Sequence, residues 1–268
     1  MAKFIRRLPR NTKGKDYIVG DLHGCYDALM AALSIIGFNY DTDRLFSVGD
    51  VIDRGPDSAK CLGLMRHSWF YMTRGNHEMM LYYATKYWEI ARMWFNNGGH
   101  WAQGFPEGTI HCWRKQINDL PGVLIVGTGK HRFNVLHAEP ELREVPEQLN
   151  NSLFDDIPGP ENEDPERTLY WGRHWIRFPQ HLPPFGDLSP TYVGHSVVNR
   201  LVRNGPMFYI DRGAVLDREG SSVLNTLAIA CHTDKVTYEY NHRLGTLTSI
   251  AHADIPELKT LYAKKDTK

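Results

Sequence analysis

A strand-like apolar run, a polar loop opened by glycine, and apolar residues at helical spacing recur three times in the first hundred residues, and this rhythm constrains the fold most. Tyr17 to Val19 leads into Gly20, then into Tyr26, Leu29, Leu33 and Ile36. Leu45 to Val48 leads into Gly49 and Asp50, a turn at Gly55 and Pro56, and a helix expected to run from a Ser58 cap to Met65. Phe70 to Thr73 leads into Gly75 and Asn76, followed by one long expected helix from His77 to Phe95, broken at Asn96 to Gly99. Repeated strand-loop-helix units predict an α/β fold with a mostly parallel sheet, whose ligands gather beyond the carboxyl ends of the strands. The second half is richer in strands, predicted at Gly122 to Val126, Phe133 to Leu136, Thr191 to Val193, Met207 to Ile210, Leu224 to Ile229 and Lys235 to Tyr240.

A chain of 268 residues with 42% hydrophobic residues can bury a single core without disulfides or a structural metal, so a metal here needs a chemical reason. The 31 basic side chains balance 31 acidic ones, which removes any global pull toward nucleic acid or an anionic membrane. Lys3, Arg6, Arg7, Arg10, Lys13 and Lys15 are read as a solvated basic tail over residues 1–15, ahead of a single domain over 16–268. No apolar stretch reaches the ~18 residues needed to span a bilayer, and the expected location is cytoplasmic. Cys25, Cys61, Cys112 and Cys231 show no metal-binding spacing and read as reduced thiols, Cys25 as a packing residue. The acidic segment 139–168 and the proline-containing segment 180–190 read as surface insertions.

The three loops carry the chemistry. In Gly20-Asp21-Leu22-His23-Gly24, a carboxylate and an imidazole one residue apart face the same way in extended backbone and can grip one cation. In Gly49-Asp50-Val51-Ile52-Asp53-Arg54-Gly55, Asp50 is placed to bridge two metals, Asp53 to orient another side chain, and Arg54 to fork onto phosphate oxygens. In Gly75-Asn76-His77-Glu78, Asn76 offers a neutral oxygen, His77 is available as a proton donor, and Glu78 suits the first turn of a helix.

In order and separation, these three loops resemble the triple signature of the metal-dependent phosphoprotein phosphatases of the metallophosphoesterase superfamily. Val135-Leu136-His137-Ala138, Trp171-Gly172-Arg173, Val193-Gly194-His195-Ser196 and Tyr209-Ile210-Asp211-Arg212-Gly213 extend the likeness to the bacteriophage lambda-type serine/threonine branch. The resemblance implies a single-domain β-sandwich flanked by helices in αββα layers. It also implies a metal-dependent phosphomonoester hydrolase acting on a phosphorylated protein or a small phosphoester. One metal would be held by Asp21 and His23, a second by Asn76, His137 and His195, with Asp50 bridging them. Oxygen and imidazole donors suit manganese, iron or zinc, and manganese is the expected pair of ions. Arg212 departs from the branch, standing where threonine is usual, and is expected either near the pocket mouth or on the surface.

Phosphate monoester hydrolysis demands acceleration approaching ~10²¹-fold, more than one side chain supplies. Two metals about 3.5 to 4 Å apart activate a shared hydroxide and neutralise the phosphoryl group. Arg54 and Arg173 would hold its oxygens, and His77, oriented by Asp53, would act as general acid. Symmetrical dinucleoside tetraphosphate hydrolases share the first loops and are the main alternative. A catalytically silent metal- or phosphate-binding module is the alternative of another class.

Overall fold

The computed structural model describes residues 4–140, 146–155, 170–215 and 225–263. The first half contributes strands β1 (Ile5–Leu8), β2 (Asp16–Val19), β3 (Arg44–Ser47), β4 (Phe70–Met72), β5 (Val123–Val126) and β6 (Phe133–Leu136). The second contributes β7 (Thr191–Val193), β8 (Val202–Asn204), β9 (Met207–Tyr209), β10 (Thr226–Cys231), β11 (Val236–Asn241) and β12 (Thr246–Ala251). They form two six-stranded sheets, ordered β12-β11-β10-β2-β3-β4 and β1-β5-β6-β7-β9-β8. The pairs β2/β3, β3/β4, β6/β7 and β7/β9 are parallel, so the carboxyl ends of five site-bearing strands point one way within each sheet.

Strands β2, β5, β6, β7, β9 and β10 are buried on both faces, as continuous apolar runs require, while β1, β11 and β12, at or next to the sheet edges, are partly exposed. Alternation divides each run between two cores. Ile18 and Phe46 point between the sheets, where they meet Leu124, Val135, Tyr192 and Phe208. Tyr17, Val19 and Leu45 point outward beneath helices α1 (Tyr26–Ile35), α2 (Ser58–Gly63), α3 (Asn76–Tyr83), α4 (Trp88–Asn96) and α5 (Glu107–Asn118). Val123, Ile125, Val193 and Met207 line the opposite outer face, covered by Trp175, Leu182 and Leu258. The result is a single α/β domain with helices on both sides of a β-sandwich.

Several expectations change. The single helix over 77–95 is two helices, because the chain turns at Ala84 to Tyr87 and folds α4 back onto α3. Helix α5, with Trp113 and Ile117 buried four residues apart, was not anticipated, nor were β1, β8 and β12. Ser58 is the first helical residue rather than the cap, and its Oγ accepts from the Asp53 amide at 2.8 Å. The basic start of the chain is no frayed tail, since β1 pairs in parallel with β5 at the edge of one sheet. Its charges are used locally: Arg6 lies 5.3 Å over the Tyr71 ring, Arg7 pairs with Asp155 at 2.9 Å and Lys15 with Asp234 at 2.7 Å.

Residues 141–145 and 156–169 of the acidic insertion lie outside the described residues. Around them, Leu149 and Phe154 are fully buried, and the Leu149 amide donates to the Pro184 carbonyl at 2.9 Å. The two segments read as surface insertions therefore anchor each other in the core beneath the β7 sheet. Cys25, Cys61 and Cys231 are buried free thiols, and Cys112 is exposed.

Candidate active site

Each polar loop leaves the carboxyl end of a strand: Asp21 and His23 after β2, Asp50 and Asp53 after β3, Asn76 and His77 after β4, His137 after β6, and His195 after β7. The two sheets deliver these side chains to one shared edge. Asp21, His23, Asp50, Asp53, Asn76, His77, His137 and His195 are all buried, none more than 5% exposed. The backbone there is strained. Of seven non-glycine residues with left-handed φ among those described, five are His23, Asp50, Asp53, Arg54 and His195. Gly194 shows how tight the assembly is, because a Cβ at that position would come within 2.0 Å of Asp21 Oδ1.

Asp50 is the centre. One of its oxygens lies 3.4 Å from His137 Nε2, 3.8 Å from His23 Nε2 and 3.9 Å from His77 Nε2. Its other oxygen accepts the His77 backbone amide at 2.9 Å, at the amino end of α3. Burial opposes ionisation of Asp50, but the facing His137, His77 and His23 rings prevail and hold its carboxyl below the usual range. Asn76 Oδ1 lies 2.8 Å from His137 Nε2 and 3.0 Å from His195 Nδ1.

The donor chemistry fits a cation. His137 Nδ1 meets the Val48 carbonyl at 3.0 Å, and His23 Nδ1 meets the Ile52 carbonyl at 2.8 Å, so each ring gives its one neutral N–H to backbone. Burial, helped by cationic neighbours, lowers the pKa of His137, takes His23 to about 3 and takes His195 to about 2, leaving neutral imidazoles at pH 7. His137 Nε2 then turns a lone pair toward the Asn76 and Asp50 oxygens, an acceptor-to-acceptor approach that a cation between them would reconcile. Two three-residue groups satisfy a ligating geometry, His23 with Asp50 and His77, and Asp50 with His137 and His195.

Asp21 stands slightly apart. Both its oxygens accept the His195 amide, at 3.1 and 3.2 Å, and it belongs to neither ligating group. Its side chain bonds the buried Asp211. Burial raises both carboxyls, helped by the Asp50 charge on Asp211, which rises to about 6, and by Asp211 and Asp50 on Asp21, which rises well above its ordinary value. Arg54 is exposed and its Nη1 donates to His23 Nε2 at 2.8 Å. Arg173 is half-buried beside the site, donating from Nη2 to the His195 carbonyl at 3.1 Å.

His77 and Asp53 form a separate pair, Nδ1 to Oδ2 at 2.6 Å. Asp53 is held by two indoles as well: Trp101 Nε1 donates at 2.6 Å and Trp94 Nε1 at 2.9 Å. Sequence reasoning missed both tryptophans, and the available signal was a buried carboxylate in need of donors beside a tryptophan-rich segment. Burial alone would lower the His77 pKa, but Asp50 and Asp53 outweigh it and raise it. Glu78 also does more than suit a helix turn. It accepts the amides of Gly75 and Asp50 at 2.8 Å and of Val51 at 2.9 Å, joining the second loop to the third, and burial with Asp50 nearby pushes it up to about 7. Arg212 is not at the pocket mouth. It is buried, pairs through Nε with Glu239 at 2.5 Å and donates to the Val198 carbonyl.

The calcineurin-like phosphoesterase profile matches residues 17–213, a span that contains Asp21, His23, Asp50, Asp53, Arg54, Asn76, His77, His137, Arg173 and His195. The chain is 48% identical over 210 residues to serine/threonine-protein phosphatase 1 of Salmonella typhimurium, covering 74% of this chain and 86% of the relative. Its likeness to the symmetrical bis(5'-nucleosyl)-tetraphosphatase of Erwinia tasmaniensis is 40% over 67 residues, 24% of each protein. Among solved structures, a candidate diadenosine tetraphosphatase superposes with a TM-score of 0.57 at 21% identity, covering 94% of this chain and 98% of that one, which speaks to the fold alone.

Proposed function

The chain belongs to the calcineurin-like phosphoesterase family, and from that membership we propose that it is a metal-dependent serine/threonine protein phosphatase, a hydrolase of phosphate monoesters. The observation that carries the reading is the gathering of three imidazole edges within 3.4 to 3.9 Å of one Asp50 oxygen, from loops far apart in sequence. The sequence likeness to the serine/threonine-protein phosphatase spans 74% of the chain, whereas the sequence likeness to the tetraphosphatase stops at 24%.

Asp21, His23 and Asp50 would hold one divalent cation, and Asp50, Asn76, His137 and His195 a second. Two bound cations supply an activated nucleophile and charge neutralisation for the phosphoryl group. Manganese is proposed, with iron and zinc as competitors for the same donors. Arg54, bonded to His23, and Arg173, bonded to the His195 carbonyl, orient the phosphate oxygens. His77 presents its Nε2 toward the site while Asp53 holds Nδ1, the arrangement of a general acid serving the leaving alkoxide. We place the reaction in the cytoplasm, which fractionation of cells expressing the tagged protein would check. No helix among the described residues is long and apolar enough to cross a membrane.

The deciding experiment compares manganese-dependent phosphate release from a phosphoserine peptide, a phosphotyrosine peptide and diadenosine tetraphosphate, each against a chelated control. The phosphoserine peptide is expected to be the best substrate. Dominance of the dinucleotide, or no metal-dependent release from any of the three, would refute the proposal.

A further inference from the structure

Beside the candidate active site lies a cleft of about 430 Å³ lined by Trp171, Arg173, His174, Arg177 and Phe178. It shares a wall with the cation-binding groups. The Trp171 ring meets the His195 ring edge-on at 5.7 Å and 90°, and Arg173 donates to the His195 carbonyl. The outer wall is aromatic: Phe178 stacks on His181 at 5.6 Å with the planes 17° apart, and His174 lies 5.4 Å from Phe178.

The charge of this cleft is unbalanced. Arg173 and Arg177 repel each other, and Arg173 has a buried Nε with no partner. Arg177 is exposed. Among the described residues it has no ion-pair partner, because the nearby Glu139 turns its oxygens to the Trp175 and Ile176 amides at 2.6 and 2.7 Å and to Tyr209. Asp21 and Asp211 partly offset the charge of Arg173, and Glu139 acts on Arg177 only through space, so among the described residues the exposed Arg177 guanidinium makes no direct carboxylate contact. A guanidinium with free donors at the rim of an aromatic-walled cleft is suited to a carboxylate or phosphoryl group, which it can engage in paired hydrogen bonds. The volume exceeds what one anion needs and falls within the range of small-molecule and side-chain pockets, about 300 to 1,000 Å³.

Resting on the phosphatase reading, we propose that this cleft is a substrate subsite for an anionic side chain flanking the scissile phosphoserine or phosphothreonine, with Arg177 as its recognition residue. Arg173 closes the inner end, and Trp171 and Phe178 hold the stem of the flanking residue. The chain would therefore favour acidic or multiply phosphorylated segments over neutral ones.

The test uses phosphoserine peptides that differ at one flanking position, carrying alanine, glutamate or a non-hydrolysable phosphonate, with diadenosine tetraphosphate alongside. With manganese-loaded wild-type protein, kcat/KM is expected to be about tenfold higher for the anionic flanks than for alanine, the scale of one charged hydrogen bond. Arg177→Gln should bring that ratio close to one, Arg177→Lys should keep most of it, and Arg177→Glu should invert it. Because Arg177 is exposed, these variants are expected to fold. A larger gain with phosphonate than with glutamate identifies a second phosphoryl group as the preferred anion, and equal gains identify acidic side chains. The proposal is overturned if wild type hydrolyses all peptides equally, if the preference survives Arg177→Gln, or if only the dinucleotide loses activity in that variant. Hydrolysis of no peptide at all would overturn the phosphatase reading, and this subsite with it.

Discussion

Replacing Asp53 by asparagine tests whether the His77–Asp53 pair is a working acid and its holder or merely a buried contact. Asp53 accepts from His77 Nδ1 at 2.6 Å inside a fully buried pocket, and its charge is one of the two that raise the His77 pKa. A hydrogen bond to a charged group contributes about 1.5 to 3 kcal/mol. The Asp53 charge favours the protonated imidazole, so its loss should lower the His77 pKa. His77 must carry its proton to serve the leaving group, so activity falls as pH rises through that pKa. In the variant this alkaline fall is expected to begin at lower pH than in wild type.

The leaving group gives a second readout. A serine alkoxide needs the proton, whereas p-nitrophenolate leaves without it, so kcat at neutral pH should drop much more for a phosphoserine peptide than for p-nitrophenyl phosphate. Stability should fall too. Trp94 reaches both Asp53 oxygens and Trp101 reaches one, and asparagine's single oxygen cannot serve both indoles and His77. An indole N–H left unpaired costs about 1 to 3 kcal/mol, measurable by urea unfolding. Equal losses on the two substrates with an unmoved alkaline limb would refute the role given to this pair and reduce Asp53 to a structural residue.

His77→Asn should retain its bound manganese, measured by elemental analysis, while turnover of a phosphoserine peptide falls by about two to four orders of magnitude. Asp50→Asn should instead lower the metal content itself, because Asp50 is the carboxylate shared by both ligating groups. His232 offers a pH test away from the site. Burial, reinforced by Lys235, takes its pKa to about 3 from the ordinary 6.5, so the folded state binds fewer protons than the unfolded state between those values. Stability must therefore rise with pH across that window, and urea midpoints measured from about pH 4 to 7 should climb less steeply in His232→Gln than in wild type.

The site was legible in the sequence to the extent that its residues sit in glycine-flanked loops after apolar runs. Asp21, Asp50 and Asn76 end three parallel strands of one sheet, and strand periodicity alone suggests their shared edge. His137 and His195 come from the other sheet. Each ends an apolar run, but nothing in the spacing says that two sheets face each other, and only the likeness to a known family grouped them. What stayed hidden depends on long-range packing. The split between α3 and α4 has no glycine or proline to mark it, and it is the fold-back that brings Trp94 toward Asp53. The strand β1 was masked by its two adjacent arginines, which fall on opposite faces of the strand and find Tyr71 and Asp155. Arg212 looked like a stray charge because its partner Glu239 lies on β11, 27 residues away in sequence.

The loops that carry the site hold unfavourable backbone geometry at five non-glycine positions, so something other than local preference must fix them. Glu78 supplies much of that constraint. One carboxylate accepting the amides of Gly75, Asp50 and Val51 ties the left-handed turn after β3 to the start of α3. The Asp50 side chain returns a bond to the His77 amide, closing the link in the opposite direction. His23, through Ile52, and His137, through Val48, are fastened to the same loop on either side of Asp50. Each of these bonds is made by protein atoms alone, so the second loop acts as the frame on which ligands from both sheets are aimed.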